Sequence, residues 1–239
     1  DWVIQPSYSP RVAGVTANEG PGGMMIVPVG ADHTQRAVRN HEMLHVSITP
    51  RGAMGALMAE IDPTVLNLVE DSRVHGRMRA LGLDPMALDV IDPQELLDTC
   101  LNAPPAVIVA MAAATVGTGE FYKLDDAARS CGREDAPGLF DIGAQYGARM
   151  HNSDGGFAPW ERTVQIAREI LDRFGDPRQA PEPGSRESQV EGSLQEVNQH
   201  EGISTNGDET GEWGKLRIIN HPLVLTLPPR MRGIRRRTL

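Results

Sequence analysis

The run Asn40-His41-Glu42-Met43-Leu44-His45 places two imidazoles four residues apart, with a carboxylate directly after the first. Residues i and i+4 of an α-helix project from the same side, so both rings can reach one divalent metal ion. Glu42 lies about 100° round the helix from His41, near enough to take a proton from a water on that metal. The pattern is HExxH, and the ion it suits is Zn²⁺. A catalytic zinc takes three protein ligands and keeps one position open, so a third ligand must come from another part of the chain.

The chemistry requires a helix, and the flanking residues predict one. Asp32 or Thr34 can cap its start, Ala37, Val38, Leu44 and Ile48 supply an apolar face, and Pro50 followed by Gly52 is expected to stop it. A second strong helix opens at Asp62-Pro63-Thr64, with Asp62 as cap and Pro63 at the first position, and runs to Met78 before Gly82 ends it. It carries Asn67-Leu68-Val69-Glu70-Asp71-Ser72-Arg73-Val74-His75. Asn67, Glu70, Asp71 and Val74 share a face at i, i+3, i+4 and i+7. Glu70 is the expected third ligand, with Asp71 hydrogen-bonding a ligand histidine to set its tautomer. Asp71 or His75 as the ligand stays open at this point. So does the plainer reading, in which Glu70, Asp71, Arg73 and Arg77 form a solvated, ion-paired helix face.

The pairing of NHEMLH with the later NLVEDSRV resembles the gluzincin-type metallopeptidase domains found beside von Willebrand factor A domains and in bacteriophage proteins. The resemblance covers roughly residues 24–80. It implies His41, His45 and Glu70 as zinc ligands and Glu42 as general base; for a zinc peptidase site, a protein or peptide substrate is the expected partner. No DxSxS metal motif of a von Willebrand factor A domain is evident in the chain. Tyr146 and His151, with Tyr122 and Arg149 behind them, are further candidates for stabilising the oxyanion formed when water attacks a carbonyl.

Composition bounds the rest. A chain of 239 residues can bury one sizeable core, and with aromatics at 4% that core must be filled by Ala, Leu, Val and Met, which favours closely packed helices. The expected fold is mainly α (α+β): a zincin-like helical core, a small N-terminal sheet or edge strand, and an extended C-terminal arm. Residues 1–23 read as an irregular arm with at most a short strand at Trp2-Val3-Ile4. Met24 to Val29 reads as a strand, with Pro28 marking an edge position or the strand's end. By analogy with zinc peptidases, an extended substrate would pair with such an edge.

The metallopeptidase-like domain is expected over 24–174. Within it, Asp92-Pro93 starts a short helix, Pro104 to Gly117 forms a buried one, and Leu124–Arg129, Leu139–Met150 and Pro159–Phe174 are helical, with a turn at His151–Gly156. Residues 175–212 hold nine acidic against two basic residues and read as an acidic linker. Residues 213–239 hold seven basic residues and no acidic ones, in a chain whose net charge is −9. That basic, strand-like tail is expected to dock on a neighbouring protein assembly, with phosphate contact to nucleic acid as the weaker option. No signal peptide or membrane segment is seen, so a cytoplasmic or virion-associated location is expected, without a membrane partner. Cys100 and Cys131 lack CxxC spacing and read as plain thiols. The competing function is a structural or assembly protein, for example a phage virion component, that keeps a metallopeptidase-like fold.

Overall fold

The computed structural model describes residues 2–8, 13–17, 22–151 and 158–179. Three short strands come first: β1 (Trp2–Ser7), β2 (Gly14–Ala17) and β3 (Gly23–Pro28). They form one sheet in the order β1-β3-β2, with β1 parallel and β2 antiparallel to β3. Two expectations are corrected here. The first 23 residues contribute two strands instead of an irregular arm, and β3 is the central strand, so the edges fall to β1 and β2. Pro28 is tolerated because it closes β3 opposite Ser7, where the bond to the Ser7 carbonyl comes from the Val29 N–H at 3.0 Å.

Eight helices follow among the described residues: α1 (His33–Ile48), α2 (Arg51–Glu60), α3 (Pro63–Ala80), α4 (Pro93–Asn102), α5 (Pro105–Thr115), α6 (Phe121–Ser130), α7 (Ala136–His151) and α8 (Trp160–Phe174). The fold is mainly helical, with its small sheet at the N-terminal end. The starts obey local chemistry. Asp32, Asp62 and Asp92 each accept a hydrogen bond from a backbone N–H of the first turn, and Pro63 and Pro93 sit where a missing N–H costs nothing. Gly52 does not end α1. Thr49 caps it, and Gly52 lies in the first turn of α2, so a further helix fills the stretch between the two helices that the sequence marks.

The main core joins α3 to α8 through Leu66, Leu68, Val69, Ile108, Met111, Phe140, Ile166 and Ile170. Each such side chain contributes about 1.5–3 kcal/mol by leaving water. α5 contains no charge and is buried on nearly every side, as its sequence predicts. A smaller apolar cluster holds α1 through Ala37, Val38 and Leu44 against Val74, Met78 and Leu88. The sheet has its own small cluster of Val15, Met25 and Val27.

Close packing is most explicit between α5 and α7. A Cβ on Gly143 would meet the Val109 carbonyl and stand 2.6 Å from the Ala112 Cβ, and one on Gly147 would stand 2.6 Å from the Ala113 carbonyl. Ordered chain continues past Phe174: Arg178 donates to the carbonyls of Ala59 (3.3 Å) and Glu60 (2.8 Å). Most of the expected acidic linker, the basic tail and most of the turn after His151 lie outside the described residues. No helix among those described is long and apolar enough to cross a membrane.

Candidate metal centre

α1 is fixed at both ends before its histidines are considered. At its start Asp32 accepts from the Gln35 N–H at 2.7 Å, and Arg39 donates to the Pro28 and Gly30 carbonyls at 2.7 and 2.5 Å, fastening the helix to the end of β3. At its end Thr49 donates its N–H to the His45 carbonyl at 3.2 Å. His41, Glu42 and Leu44 therefore face inward while Met43 and Ser47 face out.

The inward face meets α3. His45 Nε2 lies 3.0 Å from His41 Nε2 and 2.8 Å from Asp71 Oδ1, and His41 Nε2 lies 3.5 Å from the same oxygen. Donors around a tetrahedral zinc, each about 2.0–2.1 Å from it, stand about 3.3 Å from one another. The three observed separations bracket that spacing, so the donor set fits a small divalent ion, with imidazole and carboxylate ligands of the kind zinc takes. The surroundings are nearly dry: His41 and Asp71 are 1% exposed and Glu42 2%. Only His45 keeps an edge to solvent, with 11% of its side chain exposed. Burial, the largest single influence on the His45 ring, disfavours its charged form. The hydrogen bond to Asp71 and the charges of Asp71, Glu42 and Glu70 outweigh that, and the ring titrates above the ordinary imidazole value.

Comparison with family models, with curated proteins and with solved structures finds no match. The site therefore has to be read from its own chemistry.

Asp71, and not Glu70, is the acid brought to the histidines. Glu70 is 0% exposed and its carboxylate is fully engaged. Oε1 accepts from Arg73 at 2.6 Å and from the Thr49 hydroxyl at 2.6 Å, while Oε2 accepts from Arg73 Nε at 2.7 Å and the Thr163 hydroxyl at 3.1 Å. Four donors leave it no lone pair well placed for a metal. Adjacent residues on a helix differ by about 100° in direction, so the two acids serve different neighbours. The solvated-face reading of α3 also fails, because Glu70, Asp71 and Arg73 are all buried and only Arg77 is partly exposed.

His75 also lies in this region, one turn beyond Asp71. Its ring is 4.9 Å from that of His41, and its Nδ1 meets the Ala114 carbonyl at 2.7 Å. It is not among the three converging donors.

The expected oxyanion candidates are engaged elsewhere. His151 meets the Ser72 carbonyl at 2.9 Å through Nε2 and the Arg79 guanidinium through Nδ1. Tyr146 is built into the main core with the Arg149 guanidinium 5.2 Å from its ring centre. Arg149 itself pairs with Glu169 at 2.7 Å, and Tyr122 is 67% exposed. Thr49 and Thr163, which hold Glu70 together with Arg73, were not anticipated. The one available signal was that Thr49 lies four residues after His45, a single helical turn on.

Proposed function

We propose that this chain is a zinc-dependent hydrolase of peptide or closely related bonds, with His41, His45 and Asp71 as ligands and Glu42 as general base. The observation that carries the reading is the convergence of three donor atoms, 2.8–3.5 Å apart, from the HExxH helix and from a second helix, with His41 and Asp71 buried. Bound there, zinc would supply Lewis acidity and a water acidified towards neutrality. Glu42 would accept the proton of that water and return it to the leaving amine. Its burial, at 2% exposure, keeps its carboxylate poorly solvated. The ligand set departs from the gluzincin arrangement that the sequence resembles, since Asp71 takes the place expected of Glu70.

The test is metal analysis combined with a fluorogenic peptide or casein assay. Wild-type protein should hold about one zinc per chain after reconstitution. His41→Ala and Asp71→Asn should lose it, and Glu42→Gln should keep the zinc while losing hydrolysis. Absence of zinc in reconstituted wild type would sink the assignment. One observation favours a second reading: with little more than an edge of His45 reaching solvent, a metal here could serve the fold alone. Zinc-loaded wild type that is silent in both assays would support that structural role, in keeping with an assembly protein that docks through its basic tail.

A further inference from the structure

We propose that Thr49 is a positioning residue for the metal: its hydroxyl couples the His45 ring to the buried Glu70 carboxylate, so that Nε2 presents a lone pair to the ion. The inference rests on the zinc reading above and goes beyond it. The hydrogen-bond directions are set from Glu70 outward. Paired with Arg73 in a fork of two hydrogen bonds, at 2.7 and 2.6 Å, its carboxylate is ionised and can only accept. The Thr49 hydroxyl, 2.6 Å from Glu70 Oε1, must therefore donate to it.

That fixes the other side of the same oxygen. With its proton spent on Glu70, Thr49 Oγ1 meets His45 Nδ1 at 3.3 Å as an acceptor, so Nδ1 carries the hydrogen. In the neutral ring Nε2 is then bare, and Nε2 is the atom that faces His41 and Asp71. The opposite hydroxyl orientation would place the hydrogen on Nε2 and block the ion. Glu70 excludes it. The arrangement is also rigid. Arg73 donates to the Ile48 carbonyl at 2.9 Å, immediately before Thr49, and Thr163 of α8 anchors the other Glu70 oxygen. Thr49 is β-branched and tied through its own N–H to His45, so little rotamer freedom remains.

Outer hydrogen bonds of this kind are worth about 10–100-fold in metal affinity. The experiment is a chelator competition for zinc on the full chain, comparing wild type with Thr49→Val and Thr49→Ser. Thr49→Val should bind zinc about 10–100-fold more weakly, and Thr49→Ser should return to within a few-fold of wild type. Thr49→Val with unchanged affinity would overturn this inference alone, whereas wild type that binds no zinc would overturn the metal reading and this inference with it. If Thr49→Val does not fold, ¹⁵N imidazole spectra of zinc-loaded wild type decide. Hydrogen on His45 Nδ1 supports the role, and hydrogen on Nε2 ends it.

Discussion

Gly143 and Gly138 lie on the same helix, and replacing each with alanine should move stability in opposite directions. At Gly143 the new methyl would stand 2.6 Å from the Ala112 Cβ and closer still to the Val109 carbonyl oxygen. Carbon atoms in good contact sit about 3.5–4.0 Å apart, so the shortfall is about 1 Å or more. A backbone carbonyl cannot rotate away, and α5 and α7 would have to separate. Overpacking costs about 1–3 kcal/mol, and with a backbone carbonyl in the way the upper part of that range, about 2–3 kcal/mol, applies. The better helix propensity of alanine returns about 0.8–1 kcal/mol, which leaves a net loss of about 1–2 kcal/mol. At Gly138 a Cβ meets nothing within 4 Å, so only the propensity gain remains. For a chain of this size, each kcal/mol corresponds to about 2–4 °C in Tm. Gly143→Ala should melt about 2–8 °C below wild type and Gly138→Ala slightly above it, by thermal or urea unfolding followed by circular dichroism. A Gly143→Ala protein as stable as wild type would refute the close contact of these two helices.

Arg73→Met should cost about 3–5 kcal/mol in a urea titration, because it strands the Glu70 charge in the core; a loss below 1 kcal/mol would mean that Glu70 is not ionised there. Glu169 is held below the ordinary carboxylate range by its hydrogen bonds to Arg149, so the α7–α8 bridge adds stability above that range, and this is lost as pH falls through the depressed value. The groups are partly exposed, so Glu169→Gln should remove less than about 1 kcal/mol at pH 7 and almost nothing at pH 2, as pH-dependent melts would show. Cys100 is buried and its thiol is pushed up to about 11, whereas Cys131 is partly exposed. Iodoacetamide at pH 7.5 should label Cys131 first and reach Cys100 only on unfolding, a rank that peptide mapping would test. Deleting residues 213–239 should leave zinc content and the helical circular dichroism unchanged; loss of either would place the tail in the core.

The two helices that carry the site were legible because their starts are written in short-range chemistry. Asp32, Asp62 and Asp92 needed only their own first turns, and the apolar run of α5 could hardly lie anywhere but inside. What could not be read depends on helix rotation and on long-range pairing. Whether Glu70 or Asp71 faces α1 turns on a 100° step about the α3 axis, set by how the helices pack. The partners that claim Glu70 come from Thr49 and Thr163, 21 and 93 residues away. β2 has only Val15 and Thr16 to mark it among Gly, Ala and Pro, and it becomes a strand by pairing with β3.

The small apolar cluster beneath α1 has a consequence for how the centre would come apart. Cooperative units open with free energies that follow the contacts holding them. α3 is rooted in the main core, whereas α1 rests on Ala37, Val38, Leu44 and a few polar ties. Thermal breathing should therefore lift α1 and the sheet while α3 stays docked, carrying His41 and His45 away from Asp71. Amide exchange would register this as faster deuteration over residues 33–48 than over residues 63–80. A ligand bridging His45 and Asp71 would clasp the looser layer onto the firmer one, and its departure rate would track that opening.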